Sequence, residues 1–350
     1  MTGRIIQSLL DGVPLPACVI GRDERIVAAN APAEPIIGAG MVGRHHGLGL
    51  RQPALLEAIA ATLADSTPRH VRLVLPQASQ EENFAVTLAP VLPEGTPGDG
   101  SFGGGVLLTF QDVTEQARAV QMRRDFVANV SHELRTPLTA LMGFIETLKG
   151  AARDDPAARS RFLGIMEREA GRMNRLVRDL LHLSRVEAEE RVRPRDRVDL
   201  QALIQMAITP LRDVAVATQV EIAVIGTLGG VMVPGDADQL TQVFTNLVEN
   251  AVKYGGAGKR VEVRLSREAT LRGPALRVDV VDQGEGIDAI HLPRLTERFY
   301  RVDTHRSREQ GGTGLGLAIV KHIVSRHRGW LKIDSTLGRG SVFSVILPEG

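Results

Sequence analysis

His132 and Glu133 stand side by side in Val127–Phe144 (VANVSHELRTPLTALMGF), a stretch that otherwise reads as helix, with Pro137 five residues past the histidine. A neutral imidazole near pH 7 is a competent nucleophile, and an adjacent carboxylate can fix its tautomer and stabilise charge developing on the ring. Pro137 takes away the backbone donor that would face the Glu133 carbonyl and so permits a bend just beyond the pair. His132 lies two positions after Val130 and two before Leu134. At about 100° per residue, that spacing turns it off the apolar stripe and out to solvent. A lone surface histidine is common, so the pair needs a reason beyond exposure. A zinc-protease reading fails at once, because H-E-x-x-H requires a second histidine where Thr136 stands.

The two familiar glycine motifs for phosphate are absent. G-x-x-x-x-G-K-[ST] fails because Arg260 follows Lys259 and Lys253 occupies the place of the first glycine; neither GEGIDA nor GTGLGL satisfies G-x-G-x-x-G. Other stretches could hold a nucleotide. In Asp238–Tyr254, Leu240, Val243, Phe244, Leu247, Val248 and Ala251 form one helical face, and Gln239, Gln242, Asn246, Asn250 and Lys253 form a polar stripe. Such a stripe is usually a solvated face, but carboxamides one turn apart with a lysine beyond them also suit Mg2+ and phosphate oxygens. Val278–Asp288 is a strand entering a glycine turn, where Asp282 could accept from an adenine amino group while Gly284 and Gly286 let the base approach. Gly311–Val324 is a glycine cluster opening a helix, and amides at a helix N-terminus form an anion site.

These residues must be positioned by a chain of 350 residues, long enough for two or three domains. Lys+Arg of 42 against Asp+Glu of 41 leaves no basic field for nucleic acid. The single cysteine, Cys18, rules out a disulfide framework and a multi-cysteine metal site. No apolar run of about 18 residues is present, and Asp11, Pro14 and Pro16 interrupt the N-terminal apolar stretch. The expectation is a cytoplasmic protein with no direct membrane span, anchored only if the chain is part of a longer one.

Three textures follow one another. Up to about Gln116, the β-type runs ACVIG, RIVAAN, VRLVLP, FAVTLAPVL and GVLLTFQDV alternate with turns, GRDE (Gly21–Glu24) among them. Pro93–Gly105 reads as a flexible glycine-rich loop between the last two runs. Then Val120, Val127, Leu134, Leu141 and Leu148 recur every seven residues, with Val130, Leu138 and Ile145 on the same side. After a break at GAARDDPA, Phe162, Met166, Met173, Val177 and Leu180 mark a second helix. The two predict an antiparallel hairpin, which buries its stripe by pairing with a second copy as a dimeric four-helix bundle. Glu189–Val198 reads as a charged linker. From Asp199 onward, helices alternate with VEIAVI, RVEVRLS, LRVDVVD, WLKID and SVFSVILP, an α/β sandwich with helices on one face of a sheet.

FVANVSHELRTPLTAL resembles the phosphoacceptor motif of bacterial two-component sensor histidine kinases. The resemblance implies that His132 accepts the γ-phosphoryl of ATP, that Glu133 is its acid/base partner and that Thr136 orients water when the kinase dephosphorylates its regulator. Asp238–Tyr254, Val278–Asp288, Gly311–Val324 and STLGRGSVFSVILP, in this order, resemble the ATP-binding domain shared by histidine kinases, gyrase B-type ATPases, mismatch-repair ATPases and one heat-shock chaperone class. That likeness implies Asn250 as the Mg2+ ligand, and Asn246 and Lys253 on the phosphate side. It implies Asp282 at adenine, with Gly284 and Gly286 beside it and Ser341 in support. Gly312, Gly314, Leu315 and Gly316 would hold the triphosphate, and Tyr254, Thr313 and Leu317 would also belong to the ATP site.

ERFYRVD (297–303) is similar to the phenylalanine-containing segment of the kinase branch, and Arg301–Gly311 is expected to be a lid over ATP. Hydrolytic members carry a glutamate four residues before the metal asparagine; here that position is Asn246, and Glu249 is rotated one helical position away, which favours kinase over ATPase. ACVIGRDERIVAANAPAEPIIG and GVLLTFQDVTE look like the start and end of a PAS sensory domain, with Asn30 after the second strand and Asp112 and Thr114 in its exit motif. Cys18 is expected in the core, and the adjacent His45 and His46 are not expected to face one haem pocket together.

The whole reads as a homodimeric multidomain α+β sensor histidine kinase: a PAS-like sensory domain over 1–116, a phosphoacceptor hairpin over 117–190 and an ATP-binding domain over 191–350. Its partner would be the receiver domain of a response regulator, and its motifs most resemble the phosphate-regulon sensor subgroup. The competing readings are a phosphotransfer-inactive scaffold that binds a regulator, and an ATPase clamp opposed by Asn246.

Overall fold

The computed structural model describes residues 2–76, 81–92, 103–190, 192–227, 229–256, 259–271, 273–302 and 312–349. The chain divides into two compact units, Met1–Val127 and Ala128–Gly350.

In the first unit, β1 (Ala17–Gly21), β2 (Ile26–Ala29), β3 (Arg69–Pro76), β4 (Glu81–Val91) and β5 (Gly105–Asp112) form one antiparallel sheet in the order β2-β1-β5-β4-β3. Each of the five expected β runs supplies one strand. α1 (Thr2–Asp11) packs on β2, α2 (Glu34–Ile37) follows the β1–β2 hairpin, and α3 (Pro53–Asp65) packs on β3, β4 and β5. Alternate residues of β4 and β5 (Phe84, Val86, Leu88, Val106, Leu108, Phe110) enter the core with Leu55 and Ile59 of α3, as the two-residue side-chain period requires.

Asn30 is buried for a structural reason. Its Oδ1 accepts from the Ala17 amide at 2.9 Å, and its Nδ2 donates to the carbonyls of Leu10, Val13 and Leu15. One carboxamide thus ties α1, its exit turn and β1 together. Thr114 works similarly at the sheet's exit: its amide donates to Asp112 Oδ1, and its hydroxyl accepts from the Asn83 amide. Cys18 is fully buried in β1, and burial pushes its thiol up to about 12. Of the glycine-rich stretch Pro93–Gly105, residues 93–102 lie outside the described residues.

α4 (Thr114–Lys149) is one helix of 36 residues with Pro137 inside it, and it carries the chain into the second unit. α5 (Pro156–Glu189) follows a short turn, with Asp155 capping its first amides. Phe144 and Phe162 stack across the hairpin at 5.3 Å. The face of α5 differs from the expected one: Val177 is 44% exposed, whereas Leu176, Leu183 and Val186 are buried. The C-terminal half of α5 packs on α9 (Gly316–Arg326), so its buried stripe answers to a partner that its own periodicity does not reveal.

The rest of the second unit contains a five-stranded sheet in the order β11-β12-β10-β9-β7. Its strands are β7 (Glu221–Ile225), β9 (Arg260–Thr270), β10 (Gly273–Asp282), β11 (Trp330–Thr336) and β12 (Gly340–Pro348), antiparallel except for β7 with β9. α6 (Leu200–Ile208), α7 (Leu211–Ala217) and α8 (Ala237–Tyr254) precede α9; α8 packs on α6, α9 and β10 through Leu240, Phe244, Leu247 and Ala251. A small second sheet was not expected: β6 (Arg197–Asp199) pairs with β8 (Met232–Pro234). β6 takes the end of the expected linker Glu189–Val198. Arg326 fixes its start, because the buried guanidinium donates to the carbonyls of Glu189 and Val192 and pairs with Asp236 at 3.3 Å. Among the described residues, no helix is long and apolar enough to cross a membrane.

His327, at the end of α9, is buried with Nδ1 donating to the Ile323 carbonyl and Nε2 accepting from the Asp236 amide. Both ring nitrogens are thereby committed to the neutral form. Burial, aided by the neighbouring Arg326 charge, lowers its pKa below the usual 6.5. The unfolded chain therefore takes up a proton below pH 6.5 that the folded one resists. This contribution to stability is present above pH 6.5 and is lost as pH falls. The melting temperature of the second unit should drop between pH 7.5 and 5.5, and His327→Gln should flatten that slope. Parallel slopes for the two proteins would show that His327 does not carry the effect.

Candidate functional site

His132 is exposed on α4, as its offset from Val130 and Leu134 predicts. Thr136, one turn on, is also exposed, and its hydroxyl donates to the His132 carbonyl at 3.2 Å. Glu133, about 100° further round the helix, is partly buried. Its carboxylate, 15% exposed, accepts from Arg172 of α5 at 2.7 Å and from Arg301 at 3.3 Å; the two guanidinium side chains are 12% and 6% exposed. One carboxylate is thus held by two nearly buried cations, from the opposite helix of the hairpin and from the segment after Phe299.

The residues expected to hold nucleotide gather at one end of α8, β10 and α9. Asn246 is half-buried on α8; its Oδ1 accepts from Gln242 at 2.7 Å and its Nδ2 donates to the Gly316 carbonyl, joining α8 to the first turn of α9. Asn250 is half-buried one turn on. Lys253 pairs with Glu249 at 2.7 Å, so the one carboxylate next to Asn250 is engaged along the helix.

Asp282 ends β10, buried, with Oδ1 accepting from the Gly284 amide at 2.8 Å. Burial raises its pKa, against hydrogen bonds from Gly284 and Ser341 that favour the carboxylate. Gly284 passes against the end of α8, where a Cβ would lie 2.3 Å from the Tyr254 carbonyl oxygen. Gly286 packs equally closely on Thr336. Ser341, across the sheet on β12, is buried with its Oγ 2.9 Å from that of Ser335.

The glycine loop, described from Gly312, leads into α9. Leu315 is buried, and Gly312, Thr313, Gly314, Gly316 and Leu317 are partly exposed around it. Gly314 has φ +72°, and its carbonyl accepts from the Phe299 amide at 2.8 Å. Thr313 donates its hydroxyl to Asp179 of α5 at 2.7 Å, and burial raises the pKa of that carboxyl. Arg301 Nε lies 3.2 Å from the place a Cβ on Gly314 would take. Arg301 Nε thus borders the space that a side chain on Gly314 would fill, while its Nη2 pairs with Glu133. Of the expected lid Arg301–Gly311, residues 303–311 lie outside the described residues.

Arg172, Asp179 and the pairs Arg298–Glu187 at 2.7 Å and His322–Glu190 at 3.0 Å were not anticipated from sequence. Arg172 and Glu133 are 39 positions apart, and no local pattern links a charge on α5 to one on α4. The hairpin fold alone would have placed them on adjoining faces.

Residues 235–350 match the family described as histidine kinase-, DNA gyrase B- and HSP90-like ATPase, and residues 122–189 match the His kinase A (phospho-acceptor) domain. The chain is similar to the phosphate regulon sensor protein PhoR of Pseudomonas aeruginosa, 43% identical over 238 residues, which are 68% of this chain and 53% of that protein. It is also similar to the sensor protein kinase WalK of Staphylococcus saprophyticus, 39% identical over 251 residues, 71% of this chain and 40% of that protein. It spans about half the length, or less, of these two relatives. Among solved structures, histidine kinase ThkA in complex with response regulator protein TrrA is similar over 98% of both chains, at TM-score 0.53 and 21% identity, a likeness of fold.

Proposed function

The chain belongs to the sensor histidine kinases of two-component systems, and from that premise we propose that ATP held between α8, β10 and the glycine loop phosphorylates His132. The observation that carries this reading is Arg301, which lies against Gly314 of the glycine loop and pairs with Glu133, the neighbour of His132. One side chain spans the donor site and the acceptor site within a single chain.

In the proposed reaction, a ring nitrogen of His132 attacks the γ-phosphorus, the bond to the β–γ bridging oxygen breaks, and ADP leaves with that oxygen. Glu133 takes the proton that the other ring nitrogen sheds as the ring becomes cationic. Asp282 accepts from the adenine amine, with Ser341 behind it. The backbone amides of the glycine loop and of the first turn of α9 bind phosphate oxygens. Asn250 would hold Mg2+, a hard cation that takes one or two protein oxygens and fills its octahedron with phosphates and water. Bound there, Mg2+ supplies neutralisation of the phosphate charge. Asn246 activates no water, and Glu249 is engaged by Lys253; both favour transfer to histidine over hydrolysis.

The receiver-domain aspartate of a response regulator then takes the phosphoryl group from His132, and Thr136 serves the reverse, dephosphorylating reaction. A homodimer is supported by apolar side chains left exposed along the hairpin, among them Val127, Leu138 and Met142 on α4 and Leu163 and Leu181 on α5. The sheet order β2-β1-β5-β4-β3, the helices between β2 and β3 and the Asp112–Thr114 exit bonds support a PAS-like sensory domain over 1–116. The phosphoacceptor hairpin then takes 117–190 and the ATP-binding domain 191–350, in a cytoplasmic setting. The likeness to PhoR favours the phosphate-regulon subgroup.

Chasing the labelled chain with a panel of receiver domains tests the transfer. Label should leave the chain for an aspartate on one regulator. A chain that binds regulators but never acquires label would support the scaffold instead, and steady ATP turnover without protein label would support the clamp.

A further inference from the structure

The first unit brings three metal-ligating side chains together, far in sequence from the kinase residues. Backbone pairing sets them there: Arg25 bridges His45, the His46 amide donates to the Glu24 carbonyl at 3.0 Å, and the Ile26 amide donates to the Arg44 carbonyl. The turn between β1 and β2 is thereby laid against the segment that carries the two histidines. A short 3-10 turn at His46–Leu48 then stacks consecutive imidazoles, with centroids 4.7 Å apart and planes at 21°. The turn thus brings the adjacent histidines together on one side.

Glu24 Oε2 lies 2.9 Å from His45 Nε2, and one ligand atom from each of Glu24, His45 and His46 lies within 4.8 Å of the others. His46 is 5% exposed, and its Nδ1 is buried with no hydrogen-bond partner among the described residues. Leaving a buried polar atom unpaired is costly, and folded chains rarely do so without a reason.

We propose that Glu24, His45 and His46 bind one divalent transition cation of the zinc class, using a Glu24 carboxylate oxygen, His45 Nε2 and His46 Nδ1. Two imidazoles and one carboxylate suit Zn2+, Ni2+ or Cu2+ and not Mg2+ or Ca2+, which take oxygen ligands. Three protein donors leave a fourth, open position, where water or a small ligand can bind. Tetrahedral coordination at the usual zinc bond lengths needs donors roughly 3.3 Å apart. Glu24 and His45 are about half exposed and can turn to close the remaining gap. The cation replaces the proton that Glu24 and His45 now share. The His45 ring proton moves to Nδ1, and the Gly47 amide, now 3.1 Å from that atom, exchanges it for water. The bound ion cross-links the β1–β2 turn to the 43–48 segment, so it should stabilise the first unit.

The test uses the full chain stripped of metal and titrated with ZnCl2 by calorimetry, with MgCl2 as control. One zinc per chain should bind and raise the melting temperature. Glu24→Gln and His45→Ala alter surface side chains and should fold normally, yet each should weaken zinc binding by about tenfold or more. His46→Ala should do the same, and the two surface variants keep the test informative if that variant fails to fold. The proposal is overturned if no stoichiometric zinc binds, if Mg2+ binds equally well, or if Glu24→Gln and His45→Ala leave binding unchanged. In the last case the ion would sit at another of the chain's nine histidines.

Discussion

Gly314→Ala is expected to lower the rate of His132 labelling by about 100-fold or more, the loss that follows when a reacting group is misplaced by about an ångström. Its Cβ would stand 2.9 Å from Phe299 Cα and 3.0 Å from the Phe299 carbonyl carbon, backbone atoms that cannot rotate aside. The backbone also sits at φ +72°, where an L side chain costs about 1–2 kcal/mol. Relief requires the loop to move away from Phe299, which breaks the bond between the Phe299 amide and the Gly314 carbonyl and shifts the amides opening α9. Binding of a fluorescent ATP analogue and initial labelling rates would report the two consequences separately. Gly338→Ala is the matched control, since φ is +79° there but nothing lies within 4 Å of the added methyl group. Equal losses in the two variants would mean that strain alone, and not the loop's contact with Phe299, decides the effect.

Glu133→Gln should reduce the phosphorylation rate by about 10²–10⁴-fold while leaving the KM for ATP nearly unchanged, the usual range for losing a general acid or base. The substitution keeps the shape and one acceptor oxygen but removes the charge between Arg172 and Arg301. Two nearly buried guanidinium groups then face a neutral amide, so the hairpin's contact with the ATP-binding part should weaken as well. Initial rates across a range of ATP concentrations separate these effects. An unchanged maximal rate with a lowered melting temperature would assign Glu133 a purely structural role.

Much of the fold follows from local pattern. The β runs are rich in apolar and β-branched residues and bounded by turns, and each becomes a strand. α8 is the clearest helix, because Leu240, Val243, Phe244, Leu247, Val248 and Ala251 separate cleanly from Asn246 and Asn250 along a 3.6-residue period. The same arithmetic puts His132 in solvent. What fails is whatever depends on a partner distant in sequence. The apolar residues of α5 face α9 as well as α4, so Leu176 and Val177 cannot be told apart by spacing. Arg326 pins Glu189 and Val192 through their backbone carbonyls, which carry no side-chain signal. Arg172, Arg301 and Asp179 look like ordinary surface charges until the hairpin and the glycine loop meet. His45 and His46 come together because side chains of neighbouring residues diverge in a strand but can converge in a turn.

Delivery of the phosphoryl group from the nucleotide at the glycine loop to His132 is open to direct test. Incubating the chain with Mg2+ and γ-labelled ATP, beside His132→Gln and Asn250→Ala, tests it most directly. An acid-labile, base-stable label should appear on the unaltered chain and on neither variant, with His132→Gln still binding ATP. Label persisting on His132→Gln would contradict it.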